Sequence, residues 1–284
     1  MSGLKKMELP TVIIPAYNEE ASISELLDDI YPGIAKNHYS VIVACNGCSD
    51  RTVDIVRTRF PAVTCLDIDT PSKVNALNAA EALGPGFPRV YVDADVRISE
   101  GSLRHLIERC DSVERPQIAV PRVISQTGRC GWWVRRYYAA WEKTVFCTRF
   151  GYGTGIYALN KVARAAFARF PEIIADDGYI RAVHGYRHIL ICSAATSQVT
   201  VPKNLYELIK IKIRSKLGNL QLQRDFNFGS APVPRASRFS AAPSPAEFLA
   251  YTVVNMIARL QAKRYLRRFS SYRWHRDESS RSST

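Results

Sequence analysis

The sequence has no run of about 18 or more apolar residues, and it opens without the basic and apolar leader of a secreted protein. The first absence argues against a transmembrane helix, and the second argues against export. The chain carries seven Cys, an odd number that does not suit a framework of paired disulfides. We therefore expect a cytoplasmic protein in a reducing compartment.

Acidic residues are scarce relative to basic ones. The chain has 26 Asp and Glu against 39 Lys and Arg, so its formal net charge is +13 at pH 7. This excess indicates an anionic partner, and nucleic acid, nucleotide phosphates and acidic lipid headgroups all meet that description. We expect no nucleic-acid partner, because the aromatic and basic residues form no RNA-recognition signature and much of the basic excess lies after residue 200.

A second C-x-x-C pair is also absent. Cys45 and Cys48 form one such pair, between a predicted strand and a predicted helix, which is the setting of redox motifs. One pair does not complete a zinc site, and the other residues of this loop are polar and suit ligand binding. A redox or zinc role is therefore disfavoured.

Apolar strands alternate with helical segments from residue 11 to about 121, and the connections are short. This order predicts an α/β fold with a mostly parallel sheet and helices on both faces. Ser22 and Glu25 form a candidate capping box for the first helix, and Ser99 is a candidate cap for a later one. The predicted strands are 11–14, which Pro15 stops, then 41–44, 63–66 and the segment before Asp93. The segment from Lys73 to Leu83, rich in Ala and Leu, is predicted to be the third helix.

The stretch from Arg89 to Asp95 runs from four strand-forming residues into two carboxylates. Residues two apart on a strand share a side, so Asp93 and Asp95 are predicted to point together. Two close carboxylates repel unless a cation lies beside them, and Mg²⁺ and Mn²⁺ prefer carboxylate oxygen. For an isolated Asp-x-Asp, the alternative is a charged turn after a buried strand.

Ligands of parallel α/β sheets bind outside the carboxyl ends of the strands. By this rule, three polar loops are expected to lie together at one edge of the predicted sheet. They are residues 16–19, 46–50 and 93–95.

The second half of the chain is less regular. The aromatic and Arg-rich segment 132–141 is interpreted as a helix packed on the sheet, an acceptor-binding wall or an interfacial face. Residues 226–246 are rich in Pro, Ser and Ala and are predicted to be a linker. The basic amphipathic segment 247–269 suits either an anionic membrane surface or docking on the domain with its charges in solvent. Residues 270–284 are expected to be disordered.

With these motifs in order, the first 120 residues resemble family 2 glycosyltransferases of the GT-A fold. The ordered agreement covers about a third of the chain and is more specific than any single motif. The matching segments are Val12-Ile13-Ile14-Pro15-Ala16-Tyr17-Asn18-Glu19-Glu20, Asn46-Gly47-Cys48-Ser49-Asp50-Arg51-Thr52, Lys73 with Ala76-Leu77-Asn78, and Asp93-Ala94-Asp95. The last of these stands at the position of the family's metal-binding Asp-x-Asp and resembles it.

The resemblance implies a GT-A domain over 1–225, with a nucleotide-binding half at 1–121 and an acceptor half at 122–225. It implies a nucleotide-sugar donor and Mn²⁺ or Mg²⁺ held by Asp95 and Asp93. The donor-binding residues that it implies are Pro15, Ala16, Tyr17, Glu19, Asn46, Asp50, Lys73, Asp93 and Asp95. On the acceptor side it implies Gly153, Thr154, Gly155 and Arg214, with Asp177 as catalytic base and Asp176 as its orienting neighbour.

Asn46 bears on the choice of donor, because the family often has Asp at this place. Asn presents one acceptor and one donor, which match the N–H and carbonyl of uracil, whereas the paired donors of guanine suit a carboxylate. A UDP-sugar is therefore favoured over a GDP-sugar.

The segment 211–218 resembles the family's Gln-x-x-Arg-Trp region only in part. Arg214 and Gly218 fit, but Ile211 stands in place of Gln and Ser215 in place of Trp. This departure, together with the lack of predicted transmembrane helices, favours transfer of a single sugar over processive synthesis.

The expected activity is thus that of an inverting, metal-dependent hexosyltransferase in surface glycan or glycolipid assembly. The acceptor is expected to be a hydroxyl of a glycan or lipid-linked saccharide, and the basic C-terminal segment predicts peripheral contact with the inner face of the plasma membrane. The alternatives are a nucleotidyltransferase, which would have a Gly-rich basic loop after the first strand, a basic nucleic-acid-binding protein, and a catalytically inactive sugar-nucleotide-binding protein.

Overall fold

The computed structural model describes residues 8–84, 86–110, 114–151, 155–226 and 239–266. The strands in these ranges are β1 (Thr11–Ala16), β2 (Ser40–Asn46), β3 (Thr64–Ile68), β4 (Arg89–Val92), β5 (Val96–Ile98), β6 (Ile118–Gln126), β7 (Ile156–Leu159) and β8 (Ile189–Thr200). The helices are α1 (Ile23–Ala35), α2 (Thr52–Arg59), α3 (Lys73–Leu83), α4 (Glu100–Arg109), α5 (Trp132–Trp141), α6 (Val145–Phe150), α7 (Lys161–Arg164), α8 (Asp176–His184), α9 (Leu205–Phe226) and α10 (Pro245–Leu266).

The strands form one mixed sheet in the order β3-β2-β1-β4-β7-β6-β8-β5. The first four of these pair in parallel, and β7 runs antiparallel to β4 and β6. All six residues of β1 are buried, as an unbroken β-branched run predicts for a central parallel strand. The predicted α/β sheet with its parallel half is therefore confirmed.

Pro15 does not stop the first strand, so that prediction was wrong. β1 continues to Ala16, and Pro15 pairs with Ala44 of β2. The pairing of β1 with β4 ends at Ile13 and Tyr91, so only β2 flanks the strand at Pro15. The missing N–H of proline is tolerated where a strand lacks one neighbour.

The predicted capping box at the start of α1 is also wrong. Ser22 makes no side-chain cap, and its hydroxyl instead donates to Glu19 Oε2 at 2.8 Å. Ser22 has φ of −118° and ψ of −32°, whereas a capping residue usually has the extended backbone that lets its side-chain oxygen accept from the helix N–H groups. The predicted cap at Ser99 is confirmed, because its hydroxyl accepts from the backbone N–H of Ser102 at the start of α4.

The chain divides into two compact units. Unit 1 comprises residues 1–121, 155–170 and 188–197, and it holds α1 to α4 with the parallel strands. Unit 2 comprises residues 122–154, 171–187 and 198–284, and it holds α5, α6, α8, α9 and α10. The domain boundaries given above stay predictions, and residues 227–238 and 270–284 lie outside the described residues.

Three helices build the core of unit 2. α5 packs against α9 and α10 through a cluster that includes Val134, Tyr137, Leu208 and Val254. The aromatic segment, for which a helix packed on the sheet was one of three interpretations, is thus α5, and its partners in this unit are helices. No helix in the described ranges is long and apolar enough to cross a membrane.

Candidate functional site

The loops after β1 and β2 are tied together by Asn18 in unit 1. Asn18 adopts the left-handed region with φ of 52°, a conformation that Asn tolerates better than most residues. Its Oδ1 accepts from the backbone N–H of Ser49 at 2.7 Å and from that of Asp50 at 3.3 Å. The two polar loops therefore form one surface at the carboxyl ends of parallel strands.

Two predicted donor-binding carboxylates take part in this loop structure. Glu19 is buried, and its Oε2 accepts from Ser22. Asp50 accepts from the backbone and hydroxyl of Thr52 through Oδ1, and from the backbone N–H of Glu20 through Oδ2. Asp50 thus fixes the start of α2 and its approach to the first loop. Tyr17, two residues before Glu19 in the first loop, is half-buried.

Asn46 has a buried acceptor without a partner among the described residues. Its side chain is 1% exposed, and Nδ2 donates to the carbonyl of Ala16 at 2.8 Å and to that of Ala44 at 3.4 Å. Since both neighbours are acceptors, the amide nitrogen must face them, and Oδ1 is left unsatisfied. Buried polar atoms are normally hydrogen-bonded, so this oxygen is a candidate contact for a ligand donor.

Three thiols lie together behind the second loop. Cys45 hydrogen-bonds to Cys48 and Cys65, and these bonds raise the pKa of Cys45. The hydrogen bond with Cys45 is the main reason why the pKa of Cys48 is lowered to about 7. Cys48 Sγ also accepts from the backbone N–H of Asn18 at 3.3 Å. Cys48 therefore joins the second loop to the first. Both cysteines of the C-x-x-C pair are free thiols.

The acidic pair after β4 lies in a turn, which differs from the sequence prediction. β4 ends at Val92, and the N–H of Val96 donates to the carbonyl of Asp93 at 3.1 Å. The two-residue period of a strand therefore does not set the directions of Asp93 and Asp95. Asp95 is exposed, whereas the Asp93 side chain is 39% exposed.

Lys73, the first residue of α3, reaches this turn. Its Nζ lies 2.7 Å from Asp93 Oδ1. Gly155, just before β7, accepts from the backbone N–H of Asp93 at 2.8 Å and has φ of 63°. A Cβ on Gly155 would lie 2.5 Å from Val96 Cγ2, so only glycine fits against the acidic turn.

The carboxylates of this turn suit a hard divalent cation that a nucleotide also binds. Asp93 and Asp95 offer oxygen donors, which Mg²⁺ and Mn²⁺ prefer. Within the described residues, no group of three or more His, Cys, Asp and Glu side chains could hold a metal ion by itself. Two carboxylates leave coordination positions to water and phosphate oxygens. The residues present therefore fit a metal ion whose coordination is completed by a nucleotide-sugar donor and water.

The second acidic pair lies in unit 2, at the start of α8. Asp176 is buried, and the Asp177 side chain is 41% exposed. Asp177 Oδ2 lies 2.8 Å from a guanidinium nitrogen of Arg181, one helical turn on, and Oδ1 accepts from the N–H of Gly178 at 2.7 Å. These bonds fix the orientation of the Asp177 carboxylate while part of it stays accessible.

Helix α9 supports the start of α8. A Cβ on Gly218 would lie 2.8 Å from the Cβ of Ala175, the residue before the acidic pair. Gln221 accepts from the N–H of Ile174 at 2.9 Å and donates to the carbonyl of Glu172 at 2.9 Å. Close approach of backbone at Gly218 and the Gln221 amide thus position the segment that leads into Asp176 and Asp177.

The remaining described acceptor-side residues belong to different units. Arg214 lies on α9, and Gly155 lies in unit 1 beside Asp93. Gly153 and Thr154 fall outside the described residues. Arg181 and Gln221 were not predicted from the sequence, although an acid followed four residues later by Arg is a recognisable helical pair.

The chain also matches a known protein family in sequence. The sequence model described as Glycosyl transferase family 2 matches residues 11–178, which is more than half of the chain. The chain belongs to glycosyl transferase family 2. The match starts at β1 and ends just after the second acidic pair, so it includes both acidic pairs.

Solved structures with the same fold include a mannosyltransferase, a synthase and the S. aureus protein TarS. PcManGT, a mannosyltransferase from Pyrobaculum calidifontis, has a TM-score of 0.60 at 20% identity, over 95% of this chain and 77% of that one. Glucosyl-3-phosphoglycerate synthase from Mycobacterium tuberculosis has a TM-score of 0.53 at 19% identity, over 78% and 79% of the two chains.

TarS from S. aureus has a TM-score of 0.51 at 18% identity, and the family 2 chain described here covers only 40% of its length. At these identities the likeness concerns the fold, and the predicted GT-A fold is confirmed. No curated protein matches the chain in sequence.

Proposed function

We propose that this chain is an inverting glycosyltransferase that moves a single sugar from a nucleoside diphosphate sugar to an acceptor hydroxyl. Family membership supports the reaction class. The observation that carries the donor side is the arrangement at the sheet edge, where Lys73 and Asp93 form an ion pair and Asn46 keeps a buried unsatisfied acceptor. Lys73 and Asp93 suit a diphosphate with its metal ion. Asn46 Oδ1 suits a nucleoside base that presents an N–H donor.

Breaking the anomeric C–O bond leaves a diphosphate whose growing negative charge has to be stabilised. Asp95 and Asp93 would hold Mn²⁺ or Mg²⁺, which supplies a Lewis acid to the diphosphate when bound. The ammonium of Lys73 adds a second positive charge at the same turn. PcManGT was solved with GDP-Man and Mn²⁺, and the mycobacterial synthase with Mn²⁺ and UDP, which favours a divalent metal here too.

The acceptor alcohol is a poor nucleophile until its proton is removed. We assign the base to Asp177, whose carboxylate is oriented by Arg181 and by the N–H of Gly178. Attack from the face opposite the diphosphate inverts the anomeric centre. Asp176 lies buried beside it and acts in orienting the turn.

Toward the nucleoside base, Asn46 offers fewer hydrogen-bonding groups than its sequence position alone indicates. The amide nitrogen of Asn46 is used by Ala16 and Ala44, so the side chain offers a base only an acceptor. The imide N–H of uracil and the N1–H of guanine both match that acceptor. The reason given above for preferring uracil is therefore wrong. We keep UDP-sugars as the first donors to test, and a TarS fragment was solved with UDP.

The decisive experiment measures release of UDP or GDP from a panel of sugar nucleotides with Mn²⁺ or Mg²⁺. We expect metal-dependent release of one nucleotide by wild type, its loss in Asp95→Ala, and intact nucleotide binding with slow release in Asp177→Asn. Asp54→Asn, on the exposed side of α2, is the matched control and keeps full activity. Absence of both release and nucleotide binding in the folded wild type would contradict the proposal.

Titration calorimetry with Mn²⁺ and either UDP or GDP separates the two donors. Tighter binding of GDP than of UDP would contradict the choice of a UDP-sugar as donor. It would not contradict the proposed glycosyl transfer. The acceptor that we propose, a glycan or lipid-linked saccharide hydroxyl in surface glycan assembly, is then tested with the identified donor.

A further inference from the structure

Helix α10 is apolar on two opposite faces. Its inner face consists of Ala250, Val254, Ala258 and Ala262, all fully buried. This face packs on α9 and α5. The docking alternative considered for the C-terminal segment is thus realised, but it uses only one side of the helix.

The opposite face carries a second apolar row, which we call the outer stripe: Leu249, Val253, Met256 and Leu260. The spacing of four, three and four residues places these side chains on one line of an α-helix. Leu249, Met256 and Leu260 are 52%, 54% and 56% exposed, and Val253 is half-buried. Of the ten large exposed apolar side chains in the described residues, five lie on α10, so the exposure is concentrated there.

The charges around the outer stripe have one sign. Arg259, Lys263 and Arg264 are exposed near its C-terminal end. The single carboxylate of α10, Glu247, is buried and lies 2.7 Å from the ammonium of Lys143. The exposed side of the helix therefore combines apolar side chains with positive charge and carries no acidic residue.

We propose that the outer stripe is a docking surface for an anionic lipid bilayer, with α10 lying parallel to the membrane plane. An interfacial helix inserts a narrow apolar row to the depth of the acyl boundary, while Lys and Arg beside it reach the headgroups. Anionic lipids match the positive charge of Arg259, Lys263 and Arg264. The proposal involves neither the donor site nor the transfer reaction, so it stands or falls independently of them.

A second copy of this chain is a less suitable occupant of the same surface. A two-fold contact with the helices parallel would bring Lys263 and Arg264 of both copies together, and an antiparallel contact would offer them no exposed carboxylate on α10, since Glu247 is buried against Lys143. Lipid phosphate groups remove this repulsion, whereas a second basic helix adds to it.

The test is co-sedimentation of the full chain with phosphatidylcholine vesicles and with vesicles that also contain phosphatidylglycerol. We expect binding to the anionic vesicles that weakens at high salt. The double variant Met256→Gln/Leu260→Gln is expected to lower the partition coefficient by about tenfold or more, since it removes two inserting side chains. Lys263→Glu/Arg264→Glu is expected to reduce binding to anionic vesicles by a similar factor.

Matched controls come from unit 1. Leu83→Gln changes an apolar residue that is 53% exposed, and Lys36→Glu/Arg109→Glu makes the same charge change at exposed positions. Both controls are expected to bind like wild type, and all variants are checked for folding by circular dichroism and thermal unfolding.

Three results would overturn the proposal. The first is a wild type that binds no vesicles, and the second is equal loss of binding in the stripe variants and the controls. The third is a wild-type dimer in light scattering that becomes a monomer in Met256→Gln/Leu260→Gln and shows no vesicle binding. That outcome would assign the outer stripe to self-association.

Discussion

The ammonium of Lys73 lies 2.7 Å from Oδ1 of Asp93, at the end of the fourth strand. One of the two carboxylates that fit a divalent cation is therefore already paired with a positive side chain. In the proposed donor site, a metal ion at Asp93 would meet this charge before the nucleotide binds, and a diphosphate would supply negative charge to both cations. On this proposal, Lys73 is expected to link metal binding to donor binding.

Replacing Lys73 with Met is expected to separate these two effects. Turnover should fall by about a hundredfold, the usual scale for loss of one fixed electrostatic stabiliser of a leaving group. Binding of Mn²⁺ without nucleotide should become tighter, because Asp93 no longer has an ammonium beside it. Steady-state kinetics and Mn²⁺ titration by electron paramagnetic resonance measure the two quantities.

Lys36→Met, at an exposed position on unit 1, is the control for that experiment and should change neither quantity. Weaker Mn²⁺ binding in Lys73→Met would show that the ammonium does not compete with the metal for Asp93.

Asp177 and Arg181 should behave as a unit in catalysis. Asp177→Asn keeps the shape of the side chain and removes its basicity, so kcat should fall by about 10² to 10⁴ while UDP affinity stays unchanged. Arg181→Met removes the contact to Asp177 Oδ2 and should lower kcat less. If the double variant loses no more than Asp177→Asn alone, Arg181 acts through Asp177. Additive losses would mean that Arg181 has a separate role.

The order of strands and helices from residue 11 to about 121 was predictable because local sequence patterns dominate there. The buried strands are continuous apolar runs, and α3 has the predicted bounds of Lys73 and Leu83. The cap at Ser99 was also readable, since serine before an amphipathic run favours a helix start.

Features that depend on partners distant in sequence were not predictable. The use of the Asn46 amide depends on the carbonyl of Ala16, thirty residues away. The turn at Asp93 is set partly by Gly155, which the sequence connects to it only through the fold. Sequence patterns locate such residues but do not show which of their polar atoms remain available.

Substitution of Asn46 by Asp is expected to destabilise the fold. A carboxylate cannot donate to Ala16 and Ala44, so two acceptors would face a third in a buried place. A loss of about 1–3 kcal/mol in the free energy of unfolding is expected, and urea denaturation measures it. Asp67→Asn, on an exposed side chain of β3, should change stability by far less. Wild-type stability in Asn46→Asp would show that the amide contacts contribute little.

The thiol of Cys48 should react with iodoacetamide in the neutral range. The thiolate is the reactive form, and because the pKa of Cys48 is lowered to about 7, the rate should rise as pH increases through 7 and level off above it. Cys147, whose pKa burial raises to about 12, should stay unreactive over the same range. Mass spectrometry of labelled peptides follows each site.

Saturating UDP with Mn²⁺ should slow labelling of Cys48, since its loop is part of the proposed donor site. The thiol variant Cys48→Ser serves as the blank. A labelling rate that rises only above pH 8.5, the ordinary thiol range, would contradict the role of Cys45 in lowering this pKa.

Two helical glycines give opposite predictions for the same change to alanine. Gly101 in α4 has open space around its missing Cβ, so Gly101→Ala should stabilise the protein by up to about 1 kcal/mol. A Cβ on Gly218 in α9 would lie 2.8 Å from Ala175 Cβ and 3.3 Å from the backbone nitrogen of Ala175. Neither atom belongs to a flexible side chain, so the segment that leads into Asp176 must move. Thermal unfolding should therefore show opposite shifts in Tm for the two variants.

The same displacement should appear in catalysis, because Ala175 is the residue before the acidic pair. Gly218→Ala should lower kcat by about tenfold or more without changing UDP affinity, since small displacements of a base cost large factors in rate. Gly101→Ala should leave both parameters as in wild type. If Gly218→Ala lost stability but kept full kcat, close packing of α9 on Ala175 would serve the fold alone, and Asp177 would not depend on it.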